Sequence, residues 1–301
     1  MKKENTHIAA VVVTYNGEAW IGKCLASLAQ STIPVNVLVV DNASPDATPA
    51  IVKEQFPAVT IIETGANLGF GRANNIGLQW AVSQQADYVL LLNQDAWIAP
   101  DAIGKMIRVL EEHPGYGVIS PYHLNYTGSG PETYFNDFVL QHYTPRLQAD
   151  MVAGRLEPIY ETSFVHAACW LLPAETVKKV GGFDPLFFHY GEDNDYVQRL
   201  KYKKLQIGIV PAAIVYHYGT NASMDNPLQD YRFQLNQSLL QLKNPAAGTL
   251  GAGWLFVKRL AGMLAGKGTP ARRKAYMSNF RRFFQIYRSR AIQQKEFAYL
   301  T

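Results

Sequence analysis

Cysteine is scarce in this chain, with only Cys24 and Cys169 among 301 residues. Two thiols so far apart fit reduced interior side chains rather than a disulfide framework. Long apolar runs are also missing. No segment approaches the roughly 18 uninterrupted apolar residues of a membrane-spanning helix. Met1-Lys2-Lys3 opens like a signal peptide. However, the apolar run Ile8 to Val13 is short and passes into Thr14-Tyr15-Asn16-Gly17, with no small-residue cleavage site. A cytoplasmic protein is therefore expected. There is no internal repeat and no low-complexity tract. Charged residues make up 17% against 48% hydrophobic, the balance of an ordinary globular protein.

The length allows one large or two small domains with a sizeable core. The net charge of +4 hides a polarity. From Trp254 onward there are eleven Lys/Arg and one acidic residue, Glu296, which leaves 17 basic and 23 acidic residues in the body. The body thus carries about −6 and the tail about +10.

Along the first half, strand and helix signals alternate. Ile8 to Thr14 is a continuous β-branched run, as expected of a strand buried on both faces. Trp20, Ile21, Cys24, Leu25 and Leu28 recur at helical spacing. Val35 to Val40, Val59 to Glu63 and Tyr88 to Leu92 read as strands, with helices predicted over Ala50 to Phe56, Ala73 to Ser83 and Pro100 to Leu110. This alternation implies an α/β fold with a mostly parallel sheet and right-handed crossovers. Between Pro121 and Thr162 the periodicity breaks down, as in a long functional loop. Order returns with a strand over Phe164 to Leu172. Helices follow over Ala174 to Val180 and Asp193 to Lys203, then a strand over Ile207 to Tyr216. Helices are expected over Tyr231 to Leu242, Trp254 to Leu264 and Arg272 to Ile286.

The chemistry concentrates where strands end. Leu90-Leu91-Leu92-Asn93-Gln94-Asp95 is an apolar strand stopping in two oxygen-bearing side chains. Asp95 offers hard oxygens suited to Mg²⁺ or Mn²⁺. The competing reading is that Asn93 and Asp95 cap the following helix. Three further loops follow parallel strands, at Thr14 to Gly17, Asp41 to Ser44, and Asn67 to Asn74. In a parallel sheet all four fall on one edge, where ligands bind. Asp41 could accept from the N3–H of a uracil or thymine ring. Gly69 and Gly71 would admit a ligand close to the backbone. Arg72 is a donor fork for a diphosphate.

A second constellation is Gly191-Glu192-Asp193-Asn194-Asp195. Its three carboxylates repel one another unless paired or protonated, as around a general base. An acidic helix N-terminus is the plainer alternative. The neighbouring Phe187-Phe188-His189-Tyr190 suits a sugar ring. The third is Tyr216-His217-Tyr218-Gly219, where His217 could complete coordination around Asp95 and shift preference toward Mn²⁺.

Together these motifs resemble family 2 glycosyltransferases of the GT-A fold, with closest likeness to the rhamnosyltransferase-like branch. They are Val11 to Asn16, Val40 to Ser44, Asn67 to Gly77, Leu91 to Asp95, Gly181 to Asp184, Glu192 to Asp195, and His217. The resemblance runs from about Ile8 to Lys243. It implies an inverting transfer of a sugar from a UDP- or dTDP-linked donor, dTDP-rhamnose among them, to a saccharide or lipid-linked acceptor. Asp95 would be the metal-binding carboxylate, with His217 as a further ligand. Asp41 would hold the base, with Thr14, Tyr15 and Asn16 nearby, and Asn67, Gly69, Arg72 and Asn93 complete the donor set. Asp193 would be the general base, and Glu192, Trp170 and Tyr190 are expected on the acceptor side. The chain departs from the family pattern at Asn93, which replaces the first carboxylate of the DxD-type motif. Asp195 stays open as the alternative base, since helical spacing puts it roughly 200° from Asp193.

The implied organisation is a donor half over 1–120, an acceptor half of the same domain over 121–225, and a helical basic extension over 226–301. The extension interleaves Arg with Trp254, Phe256, Phe280, Phe283, Phe284 and Tyr287. It reads either as helices packed on the body or as a peripheral contact with an anionic membrane. Nucleic acid is a poorer fit, because the body is acidic and no recognition motif is present. Two other functional classes are set against transfer. A sugar nucleotidyltransferase would want a glycine-rich, basic loop after the first strand, which Thr14 to Gly17 lacks. A non-catalytic sugar-binding module would not require Asp95, Asp193 and His217.

Overall fold

A computed structural model describes residues 6–219, 227–264 and 269–300. The first half contains β1 (Ile8–Thr14), α1 (Ile21–Ala29), β2 (Asn36–Asp41), α2 (Thr48–Gln55), β3 (Thr60–Glu63) and α3 (Phe70–Ser83). It continues through β4 (Tyr88–Asn93), β5 (Ala96–Ile98), α4 (Ala102–Glu112) and β6 (Tyr116–Asn125). A π-helical segment, Phe135–Tyr143, leads into α5 (Pro145–Val152), β7 (Tyr160–Glu161), β8 (Cys169–Pro173), α6 (Ala174–Val180), α7 (Glu192–Tyr202) and β9 (Gln206–His217). Helices α8 (Pro227–Lys243), α9 (Thr249–Leu264), α10 (Pro270–Arg281) and α11 (Phe283–Ile292) follow.

The strands form one sheet in the order β3-β2-β1-β4-β8-β6-β9-β5, with β7 added against β9. Strands β1, β2, β3, β4, β6 and β9 run one way, and β5, β7 and β8 run against them. The sheet is therefore mostly parallel, as the alternating pattern implied. The C-terminal ends of the six co-directional strands share one edge. Side chains alternate across each strand, so one sheet face packs on α1, α2 and α4 and the other on α3, α6 and α7. Cys24 and Cys169 are buried and free.

Three sequence expectations shift. The strand expected from Phe164 begins only at Cys169. Before it the chain turns, with the Thr162 hydroxyl donating to Phe164 O at 2.9 Å. The irregular stretch from Pro121 contains the second half of β6, which weak periodicity concealed. Pro121 is accommodated there by a shift of register between Pro121 and Tyr122. The helix expected over Arg272 to Ile286 is two helices broken at Arg282.

The extension packs on the body. Leu239, Leu240, Leu242, Phe256, Tyr276 and Ile286 enclose Phe187. Beneath them Lys243 and Asp184, both fully buried, pair at 2.7 Å. Lys243 also donates to Ser289 Oγ at 2.7 Å and Tyr299 Oη at 2.8 Å. Breaking one partner of such a pair strands a buried charge. Of the interleaved aromatics, Phe256 is buried under Tyr276, while Trp254, Phe280, Phe283, Phe284 and Tyr287 stay exposed. Among the described residues no helix is long and apolar enough to cross a membrane.

Candidate active site

The loops after β1, β2, β3 and β4 meet at the shared edge and are bonded to one another. Asp41 is the hub. It is 1% exposed, and its Oδ1 accepts from Thr14 Oγ1 at 2.7 Å and Ser44 Oγ at 2.6 Å. Its Oδ2 accepts from Ser44 N at 2.9 Å. A carboxylate has about four acceptor positions, so one is left at Oδ2. Asn16 N donates to Ser44 Oγ at 3.1 Å. Gln94, in the motif that closes β4, clamps Tyr15 through both its amide groups, at 2.9 Å each. Tyr15 itself is exposed. Asn42 ties the second loop to the third, accepting from Leu68 N at 2.9 Å.

The glycines of the third loop serve a different purpose from the one expected. Gly69 has φ +82°, and a Cβ there would lie 2.2 Å from Phe188 O. A Cβ at Gly71 would lie 2.9 Å from Phe183 Cβ. The close approach is therefore by the chain's own Phe183 to Glu192 segment. Asn67 supports the turn by accepting from Gly69 N at 2.9 Å. Arg72 reaches the same segment, donating to Pro185 O at 3.3 Å.

Asp95 follows β4, and Tyr218 N donates to its carbonyl at 3.0 Å. Its Oδ1 lies 3.4 Å from His217 Nε2 at the end of β9. Burial would raise the Asp95 pKa. The hydrogen bond and charge of His217, with the backbone N–H groups of Asp95 and Gly219, hold it below the usual range instead. Two ligands with bonds of about 2.1 Å sit about 3.0–3.4 Å apart around one ion. An anionic carboxylate and an imidazole at this spacing fit a divalent cation. Asn93 is half-buried beside them, its backbone N–H held by Ala168 O at 2.9 Å.

The acidic cluster opens α7, and its three carboxylates have separate environments. Asp195 is 0% exposed and pairs with Arg199 at 2.8 Å. That burial removes it from any incoming hydroxyl. Asp193 is half-buried and accepts from Asn194 N at 2.8 Å. Burial raises its pKa, partly offset by hydrogen bonds from the backbones of Asn194 and Ala167. Glu192 is 4% exposed, with Oε2 unpartnered among the described residues. Burial first, and Asp193 second, push it up to about 8. At neutral pH it holds its proton. A folded-state value raised above the ordinary 4.5 gives stability that is complete in acid and lost as pH rises through about 8. The wild-type melting temperature is expected to fall relative to Glu192→Gln between about pH 5 and pH 9, measured by thermal denaturation.

Trp170 is not an acceptor contact. It is 0% exposed in the middle of β8, stacked on Phe183 and donating from Nε1 to Val165 O at 3.2 Å. Strand β8 lies between β4 and β6, so its side chains have only sheet faces to occupy. Trp170→Ala should destabilise the fold by about 3–5 kcal/mol, read by chemical denaturation. Tyr190, by contrast, is 60% exposed and holds φ +65°.

A group from the irregular stretch was missed by pattern reading. Tyr134 and Phe138 stack at 4.7 Å, and Tyr134 meets the His166 ring edge-on at 5.1 Å. Burial, then the charge of Asp193, raises the Tyr134 pKa. Exposed aromatics in a stretch without strand or helix period were the available signal. His166 in turn lies 5.7 Å from the His217 ring. A chain of side-chain contacts thus runs from Asp95 through His217 and His166 to Tyr134, which in turn feels the charge of Asp193.

The model of glycosyl transferase family 2 matches residues 9–181, and that of the N-terminal domain of galactosyltransferase matches 156–221. The chain is 29% identical over 245 residues to N-acetylglucosaminyl-diphospho-decaprenol L-rhamnosyltransferase of Mycobacterium tuberculosis, covering 73% of this chain and 78% of that protein. The structure of S. aureus TarS 1-349 aligns with TM-score 0.58 at 17% identity, over 96% of this chain and 83% of that one. The mannosyltransferase PcManGT of Pyrobaculum calidifontis, in complex with GDP-Man and Mn²⁺, aligns with TM-score 0.56 at 19% identity. It covers 99% of this chain and 86% of that chain. The bonded loops at one sheet edge, the GT-A architecture and the extent of the family match lead to one conclusion: this chain is a glycosyltransferase belonging to glycosyl transferase family 2.

Proposed function

We propose that this glycosyltransferase works by inversion, moving a sugar from a UDP- or dTDP-linked donor, dTDP-rhamnose among them, to a hydroxyl of a saccharide or lipid-linked acceptor. The supporting observation is the chain of contacts that starts at Asp95 and His217 and ends at Tyr134 beside the Asp193 charge. Asp41 has one acceptor position left for the nucleobase, with Thr14, Tyr15 and Asn16 lining the same loops. Asn67 and Gly69 shape the turn beside them. Asn93, with its neutral amide, contacts the ribose, and Arg72 offers its remaining donors to the diphosphate. Mn²⁺ or Mg²⁺ held by Asp95 and His217 would supply Lewis-acid charge for the leaving diphosphate.

Asp193 takes the proton of the acceptor hydroxyl as that oxygen attacks the anomeric carbon. The bond from this carbon to the nucleoside diphosphate breaks on the opposite face, so configuration inverts. A carboxylate of raised pKa is a stronger base than a free one. Neutral Glu192 adds a donor without adding repulsion, and exposed Tyr190 offers its ring to the acceptor. On this reading residues 1–120 form the donor half, 121–225 the acceptor half and 226–301 the extension. A panel of UDP- and dTDP-sugars with Mn²⁺ or Mg²⁺ tests it. Metal-dependent release of nucleoside diphosphate supports transfer. Sugar-1-phosphate formation would indicate a nucleotidyltransferase, and binding without turnover a sugar-binding module.

The similar M. tuberculosis protein carries a lipid-linked acceptor in its name. The extension offers a surface for such a substrate. Phe283 and Phe284, 44% and 78% exposed, lie on α11 beside exposed Arg281 and Arg288. Apolar and cationic side chains together favour an anionic bilayer surface. The protein should float with anionic vesicles at low salt, less at high salt, and less again as Phe284→Glu. Indifference to vesicle charge would remove this part of the reading.

A further inference from the structure

Next to Asp95, three imidazoles and a carboxylate converge from four separate segments. They are His123 on β6, Glu132 before the π-helical segment, His166 before β8, and His217 at the end of β9. One ligand atom from each lies within 4.8 Å of every other. His123, Glu132 and His217 are buried at 0%, 4% and 7% exposure, and His166 is nearly so. Asp95 is outside this set, and the member of the set that it pairs with is His217, through Nε2.

The hydrogen bonds around the group leave lone pairs pointing at nothing. Ser120 spends its hydroxyl proton on Cys169 O at 2.8 Å. The 2.8 Å contact between Ser120 Oγ and His123 Nε2 therefore has the imidazole as donor. This fixes the tautomer and leaves His123 Nδ1 with a free lone pair, as an outer oxygen does for metal-ligating histidines. His123 Nδ1, both nitrogens of His166 and His217 Nδ1 are buried with no partner among the described residues. Buried polar groups in folded proteins are as a rule partnered, so a ligand or water belongs among them. Glu132 is oriented in the same manner. Its Oε1 accepts from Tyr134 N at 3.0 Å, and its Oε2 accepts from Phe135 N at 2.7 Å and sits 3.9 Å from His166 Nε2.

We propose that His123, Glu132, His166 and His217 bind a divalent transition-metal ion of the Zn²⁺ class, at a site that leaves out the Asp95 carboxylate and competes with it for His217. Three nitrogens and one oxygen suit Zn²⁺, whereas Mg²⁺ and Ca²⁺ prefer oxygen alone. Side-chain movement of about an ångström closes the set onto bonds of about 2.0–2.2 Å. The ion would brace the turn before β8, where Ala167 supports Asp193, against the end of β9. A neutral imidazole has a single lone pair, so His217 serves one ion at a time.

The full-length protein, stripped by chelation, is titrated with Co²⁺ as a spectroscopic stand-in and then with Zn²⁺ in competition. Metal retained after desalting is counted by mass spectrometry. One equivalent of Co²⁺ with the intense visible bands of a tetrahedral site, displaced by Zn²⁺, is expected. It should persist in Asp95→Asn and weaken at least about tenfold in Glu132→Gln and His166→Gln. Circular dichroism establishes that each variant is folded, and the wild-type titration alone already decides whether the ion binds. No retained metal in the wild type means that water fills the pocket, and overturns the proposal. Loss in Asp95→Asn, or undiminished binding in both cluster variants, overturns it equally.

Discussion

Asp193→Asn is expected to lower sugar transfer by about 10²–10⁴-fold while leaving donor affinity near the wild-type value. The substitution keeps shape and hydrogen bonding, since an amide oxygen can still accept from Asn194 N, but it removes the ability to take a proton. Asp193 has the exposure that its neighbours lack. Asp195 is closed off by the Arg199 ion pair, and Glu192 is buried and protonated. The variant has a second signature. The Asp193 charge helps to raise the Glu192 pKa, so its removal should move the Glu192 titration toward acid. Transfer would be read by nucleotide release and donor affinity by calorimetry. Wild-type turnover in Asp193→Asn would remove Asp193 from the role of base.

Asp95→Ala is expected to abolish the response to Mn²⁺ or Mg²⁺ and to weaken donor binding by at least about 100-fold. The geometry behind this is one carboxylate and one imidazole 3.4 Å apart where β5 begins against the end of β9. No second carboxylate is available at Asn93 to compensate. The loss should appear in donor binding as well as in turnover, which separates it from the loss in Asp193→Asn. A donor affinity in Asp95→Ala that still rises with added metal would mean that the ion is held elsewhere.

Much of this was legible from local pattern. The apolar runs ending in Thr14, Asp41 and Asn93 became parallel strands with their ends on one edge. A buried parallel strand must be apolar along its whole length, and a turn must be polar or glycine-rich. Both rules act over a few residues and so are written in the chain. Gly181 stopping α6 and the acidic opening of α7 are of the same kind. The motifs carried the family resemblance for that reason.

What the pattern could not decide depended on which segments meet. Trp170 and Tyr190 look alike as aromatics near a site, yet β8 is sandwiched between β4 and β6 and Tyr190 sits on an open loop. Asp193 and Asp195 lie two residues apart, and while Arg199 reaches Asp195 one helical turn away, only tertiary packing brings Lys243 and Asp184 around it. Gly69 reads as a ligand cradle until the Phe188 carbonyl is found against it. His123, Glu132 and His166 fall in the stretch with no period, and nothing in their spacing joins them to His217. The sequence by itself determined the α/β alternation, the polar sheet edge and the family, because periodicity and turn chemistry are local. The tertiary structure decided which acids are exposed, which aromatics are core and which histidines converge, because burial and charge depend on partners far away in the chain.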